Sequence, residues 1–226
     1  MALKIMDESR EAAPDATETF DHLKKALDYA IFNGARISSH SYGIPNCQKD
    51  SSLSSMFSTY LLKAPKHILV AAAGNYQNCN DDNPSCPCNT DAPNSLCVAA
   101  SNKENKIWFY SNYGRESVHV FAPGKNIASL WTDGNENVYA SDSGTSMAAP
   151  HVAGLAALIL SINKDLTGER VKKYILDNVQ TFDQYSDYVS SGGLIDVGKT
   201  LKDLSMPLIV KNCNTCLVVF GLKFAV

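Results

Sequence analysis

The 226-residue chain has no surplus of positive charge: 20 Lys and Arg stand against 23 Asp and Glu, a net charge of −3 at pH 7. That removes the electrostatic ground for a nucleic-acid partner. No uninterrupted apolar run reaches the roughly 18–20 residues that cross a bilayer, so no membrane span is expected. The longest such run is broken by Pro150, His151 and Gly154. No internal repeat is visible. No signal peptide is visible either, since Met1 leads directly into the strand-like Ala2-Leu3-Lys4-Ile5-Met6, which suggests a start inside a longer protein. With 45% hydrophobic and 19% charged residues, the chain has the composition of a globular protein that buries a core.

Cysteine is not scarce. Four of the seven fall between Cys79 and Cys97, in a segment that also holds Asn80, Asp81, Asp82, Asn83 and Pro84. Such a surface-loop composition suits disulfides, and the odd count leaves at least one thiol over. An oxidising location, secreted or in the secretory pathway, is the expectation.

Periodicity supplies the organisation. Asp15 to Asn33 reads as an amphipathic helix with Leu23, Ala26, Leu27, Ala30 and Ile31 on one face and Gly34 as its stop. Arg36 to Tyr42 is extended, and Ser51 to Lys63 is a second helix. The run His67 to Ala73 and the run Leu96 to Ala100 suit strands covered on both faces, as in a parallel sheet. Thr145 to Ile162 is apolar nearly all round and is predicted to be a buried central helix. Thr167 reads as an N-cap, followed by a helix over Arg170 to Val179. Helices alternating with apolar strands predict an α/β fold with a mainly parallel sheet.

Ser146 lies where a glycine-relieved turn enters the apolar helix, so its hydroxyl sits at the positive end of the helix dipole. Gly144-Thr145-Ser146-Met147-Ala148 approaches the G-x-S-x-G nucleophile elbow, with Ala148 replacing the last glycine. That elbow needs its histidine after the serine, and only His151 follows. Five residues along a helix amount to about 500°, which turns His151 roughly 140° away from Ser146. The elbow reading fails on its own requirement.

The longer stretch Gly144-Thr145-Ser146-Met147-Ala148-Ala149-Pro150-His151-Val152-Ala153-Gly154 resembles the serine motif of subtilisin-like serine proteases nearly residue for residue. Val70-Ala71-Ala72-Ala73-Gly74-Asn75 resembles that family's oxyanion-hole motif, Ser41-Tyr42-Gly43 its substrate-pairing strand, and Phe121-Ala122-Pro123-Gly124 the segment before the serine. The resemblance implies a three-layer subtilisin-like fold over residues 1–204, followed by a tail, 205–226, of no recognised role. It implies Ser146 as nucleophile, with Asn75 and the Ser146 N–H facing the oxyanion and Thr145 supporting it. Ala72, Ala73 and Gly74 would form one wall of the pocket for the residue before the scissile bond, and Ser41, Tyr42 and Gly43 the other. Small residues there fit an open apolar pocket that takes large side chains. The partners implied are a peptide or protein substrate and a pro-segment inhibitor; no cofactor is required for the chemistry.

The family's triad runs Asp, His, Ser along the chain. Its first two motifs, Asp-Ser/Thr-Gly and His-Gly-Thr-His, precede the strand that Ala2 to Met6 resembles, and the chain carries neither there. The expectation is a catalytic domain whose N-terminal part is missing, inactive alone. No histidine has a motif that makes it the base: His22 and His67 read as solvated or capping, His119 as structural, His40 as structural with a pocket role as the rival, and His151 as a packed core residue. A non-catalytic subtilisin-like homologue acting as a binding protein is the alternative, against which Ser146 and Asn75 both stand intact. Asn80-Asp81-Asp82-Asn83 offers hard oxygens for a structural calcium, against a solvated turn. A zinc site from Cys86, Cys88, Cys213 and Cys216 has poor spacing, and disulfides or thiols are the blander reading.

Overall fold

Helices and strands alternate along the described residues of the computed structural model, 16–48, 51–132, 137–204 and 217–220. In chain order these are α1 (Ala16–Phe32), β1 (Ile37–His40), β2 (Ile44–Pro45), α2 (Ser52–Lys63), β3 (Ile68–Ala72), β4 (Ser85–Cys86) and β5 (Ser95–Ser101). Then come β6 (Val120–Pro123), the hairpin of β7 (Ile127–Thr132) and β8 (Asn137–Asp142), α3 (Thr145–Ile162) and α4 (Gly168–Asp177). β9 (Gln180–Thr181), β10 (Gly193–Leu194), α5 (Val197–Asp203) and β11 (Leu217–Phe220) complete the order. Thr167 caps its helix as the sequence suggests, whereas Ser51, read there as the first residue of its helix, is the cap. The Ser51 hydroxyl accepts from the Ser54 N–H at 3.2 Å, and the Thr167 hydroxyl accepts from the Arg170 N–H at 3.2 Å.

The main sheet has the order β11-β1-β3-β5-β6-β10-β9, parallel from β11 through β10, with β9 antiparallel at its edge. Side chains alternate across it as a period of two requires. Leu69, Ala71, Cys97, Ala99 and Phe121 pack on one face with Leu23, Leu27 and Phe57 of α1 and α2. Val70, Ala72, Leu96, Val98 and Val120 pack on the other with α3 and α4 residues such as Val152, Ile159 and Val171. The result is three layers, α/β/α, as expected from strands that are apolar on both faces. Each fully buried Leu, Val, Ile or Phe contributes about 1.5–3 kcal/mol.

α3 has the length and hydropathy of a membrane span, 18 residues at mean hydropathy 1.6. Its packing gives it another role, since it lies across β1, β3, β5 and β6 with ten residues buried.

Within the tail, Leu217–Phe220 adds a parallel edge strand beside β1. The strand expected over Ala2 to Met6, and Cys213 and Cys216, lie outside the described residues.

His67, read from sequence as solvated or capping, is buried at the start of β3. Its Nδ1–H donates to the Ala35 carbonyl at 2.7 Å, and its Nε2 lies 2.8 Å from the Ser38 hydroxyl. Burial lowers the pKa values of His67 and His40, and that of His119 to about 3. In each case the folded value lies below the unfolded one, so the unfolded chain takes up the proton first. The stability these histidines contribute is therefore full above pH 6.5 and lost as pH falls from 6.5 through their lowered folded values. Thermal melts at pH 7 and pH 5 should show a clear fall in Tm at the lower pH. Equal midpoints would mean that these rings are not held neutral.

Candidate active site

Ser146 sits in the first turn of α3, nearly buried, at 9% exposure. Pro150 lies one turn further on and has no N–H to give to the Ser146 carbonyl. The hydroxyl of Ser41 fills that vacancy, donating to the Ser146 carbonyl at 2.8 Å. In return the Ser146 Oγ–H donates to the Ser41 carbonyl at 3.1 Å. The proline that interrupts the helix thus creates the acceptor that ties the serine to the end of β1.

Asn75 is set from the same turn. Its Oδ1 accepts from both the N–H and the hydroxyl of Thr145, each at 2.9 Å. Thr145 Oγ1 in turn accepts from the Gly74 N–H at 3.0 Å. Two donors on one amide atom identify it as the oxygen, which leaves the Asn75 NH2 turned the other way. A Cβ placed on Gly144 would lie 3.3 Å from Asn75 Nδ2 and 3.6 Å from the Ser146 N. Glycine at 144 therefore leaves a niche bordered by two N–H donors, neither of which has an acceptor among the described residues. An oxyanion forming beside Ser146 would meet that arrangement.

A cleft of about 360 Å³ opens beside Ser146 and Asn75, and its lining includes Ser41, Tyr42 and Gly43 on one side and Ala72 and Gly74 on the other. Ala73 lies behind the wall, fully buried, its carbonyl accepting from Asn80 and Asn112. No lining side chain carries a charge; Asn46, Asn78, Asn83, Ser85 and Asn112 make the cleft more polar than the sequence suggested. Tyr42 turns its hydroxyl inward. The acceptor-only Ala35 carbonyl fixes the direction of a whole buried chain: His67 donates to Ala35, Ser38 to His67, His40 to Ser38, and Tyr42 to His40, at 2.7–2.8 Å throughout. His40 thus acts behind the wall and does not line the cleft. Burial raises the Tyr42 hydroxyl well above its usual range, so it stays a donor.

Two disulfides brace this region. Cys47–Cys86 joins the ends of β2 and β4, which flank the cleft, and Cys88–Cys97 anchors the same loop to β5. Cys79 is the free thiol among the described residues.

Among the described residues no histidine nitrogen hydrogen-bonds the Ser146 hydroxyl. His151 is exposed rather than packed in the core, its Nδ1–H donating back to the Met147 carbonyl. The tripeptide Asp142-Ser143-Gly144 has the letters of the acid motif but stands at the end of β8, where Asp142 Oδ1 accepts from the next N–H. The loop considered for calcium fits a cation poorly. Asn80 is buried with its amide oxygen accepting from Asn112, and the Asp81 carboxylate already accepts from Glu116 and Ser117. With Cys86 and Cys88 in disulfides, the first pair considered for zinc is also engaged.

Comparison with known proteins bears on family and fold. The Subtilase family profile (peptidase S8) matches residues 14–198. Subtilisin-like protease 2 of Plasmodium falciparum is 37% identical over 141 residues, 62% of this chain and 10% of that protein. Alkaline protease 1 of Emericella nidulans is 39% identical over 122 residues, 50% of this chain and 28% of that protein. A solved protease of Pseudoalteromonas arctica superposes with a TM-score of 0.69 at 24% identity, covering 81% of this chain and 58% of that one. At that identity the likeness speaks for the fold. The matched stretches span less than a third of the two sequence relatives.

Proposed function

The chain belongs to the subtilase family, and on that premise we propose that it carries the nucleophile and oxyanion half of a serine endopeptidase site. Ser146 is the nucleophile toward a peptide carbonyl, and the acyl-enzyme is the intermediate. Asn75 Nδ2 and the Ser146 N–H stabilise the tetrahedral oxyanion, with Thr145 holding the amide in place. Ser41-Tyr42-Gly43 and Ala72 to Gly74 bind the substrate strand; the uncharged cleft favours an uncharged residue before the scissile bond. The observation that carries this reading is the Gly144 niche between two unpaired N–H donors beside Ser146.

The substrate is a peptide or protein, and the two disulfides favour a secreted or secretory-pathway setting. No residue described here can take the Ser146 proton, so these residues alone give no useful turnover. A second reading is a homologue that binds through the cleft without chemistry.

A peptide boronic acid ending in phenylalanine distinguishes the two. Nucleophilic Ser146 should add to the boron, its proton passing to solvent, and give a tetrahedral adduct visible by 11B NMR. Ser146→Ala should abolish the adduct, and Asn75→Ala should weaken it on the order of 10²–10³-fold, the cost of one oxyanion donor established on a subtilisin itself. Trigonal boron throughout, with the peptide bound, would leave only the binding reading.

A further inference from the structure

A second cavity, about 490 Å³, lies away from Ser146, on the side where α4 meets the loop before β6. Lys172 and His119 line it together with Asp81, Asp82, Asp91 and Glu116. The proposed chemistry at Ser146 uses neither Lys172 nor His119. Hydrogen-bond directions fix their protonation. His119 Nδ1 lies 2.8 Å from the Cys97 backbone N–H, which can only donate. A neutral imidazole that accepts at Nδ1 carries its proton on Nε2. That Nε2 lies 2.8 Å from Lys172 Nζ, which also donates to the Ser95 carbonyl at 2.7 Å. To accept from His119 the lysine nitrogen needs a lone pair, and an ammonium has none. The geometry therefore calls for a neutral amine. Burial acts in the same direction on Lys172, pulling it down to about 8 against the opposing charges of Glu169 and Asp91.

We propose that Lys172 is a covalent binding site for a small aldehyde without negative charge, held in this cavity as a Schiff base. The lone pair of the amine adds to the carbonyl carbon. The resulting carbinolamine loses its oxygen as water, the two amine protons leaving with it, and the C=N bond replaces C=O. The net change is amine plus aldehyde to imine plus water, and no electron acceptor or donor is needed. Protonation of the imine gives a cation, which Asp81, Asp82, Asp91 and Glu116 around the cavity favour. The same carboxylates disfavour an anionic aldehyde and the carbamate that carbon dioxide would form. Lysines that form Schiff bases depend on this kind of desolvated, uncharged amine.

The test treats the intact chain at pH 7.5 with propionaldehyde and sodium cyanoborohydride, then maps the reductively alkylated lysines by mass spectrometry. At that pH a lysine titrating near 8 has on the order of two hundredfold more free amine than an ordinary one. Lys172 should be alkylated at least about tenfold faster than the exposed Lys103 and Lys125, allowing for its lower accessibility. The preference should vanish in urea, and anionic glyoxylate should label Lys172 more slowly than propionaldehyde. Lys172→Arg should remove this fast phase and leave the other lysines unchanged. Labelling of Lys172 no faster than of Lys103 and Lys125 overturns the site. A preference that survives urea, or faster labelling by glyoxylate, overturns the proposed role of the folded, acid-lined cavity.

Discussion

Gly168→Ala should lower the stability of the chain by on the order of 4 kcal/mol, or roughly 10 °C in Tm for a domain of this size. Gly168 opens α4 where that helix comes down onto the turn before β3. A Cβ there would lie 2.0 Å from the His67 carbonyl oxygen and 2.9 Å from the Asn94 Cβ. The obstacle is backbone, so no side chain can swing aside. The Gly168 N–H also donates to the Pro65 carbonyl at 2.8 Å, which pins the helix start to that turn. Relief requires lifting α4 off the sheet, with Val171 and Ile175, both fully buried, carried along. Gly154→Ala in α3 is the matched control, because its Cβ meets nothing within 4 Å. Circular-dichroism melts of the two variants should diverge sharply; similar midpoints would mean that α4 is free to shift.

Reducing both disulfides should cost more still. Cys47–Cys86 closes a sequence separation of 39 and Cys88–Cys97 one of 9. In the chain-entropy account these are worth roughly 4 and 3 kcal/mol. The loss should fall first on the cleft. Ile44, Pro45 and Asn46 line it from the β2 side and Ser85 from the β4 side, and two residue pairs plus the Cys47–Cys86 bond hold those strands together. Melts with and without dithiothreitol should show a large fall in Tm, and peptide affinity should fall at temperatures where the chain is still folded. Retention of both would mean that backbone pairing and packing hold β2 and β4 without the bond.

How much was legible in the sequence depended on the range of the interaction that decided it. Ser51, Thr167 and the apolar run of α3 set their helices through neighbours a few residues away, and the expected boundaries agree closely with the observed ones. The two-sided burial of β3 and β5 was readable from continuous apolar runs. Ser146, Thr145 and Asn75 were found through motif resemblance, and the structure brings them together. What was missed depends on partners far along the chain. Ser41 meets the carbonyl that Pro150 leaves unpaired, 105 residues away. His67 and His40 are buried because Ser38 lies between them, a pairing that local polarity cannot reveal. Composition marked the loop from Cys79 to Cys97 for disulfides, yet one of its cysteines bonds to Cys47, and Cys79 is free. Ala73 belongs to the motif by sequence, but strand alternation turns it behind the wall.

Ser146, the proposed nucleophile, has a cleft beside it, and among the described residues no histidine hydrogen-bonds its hydroxyl. The direct measurement is release of fluorophore from a peptide substrate with an uncharged residue before the scissile bond, followed for the intact chain beside Ser146→Ala. The account predicts the same background rate for both proteins. Turnover by the native chain that Ser146→Ala abolishes would contradict it, because a group in this chain would then be taking the serine proton.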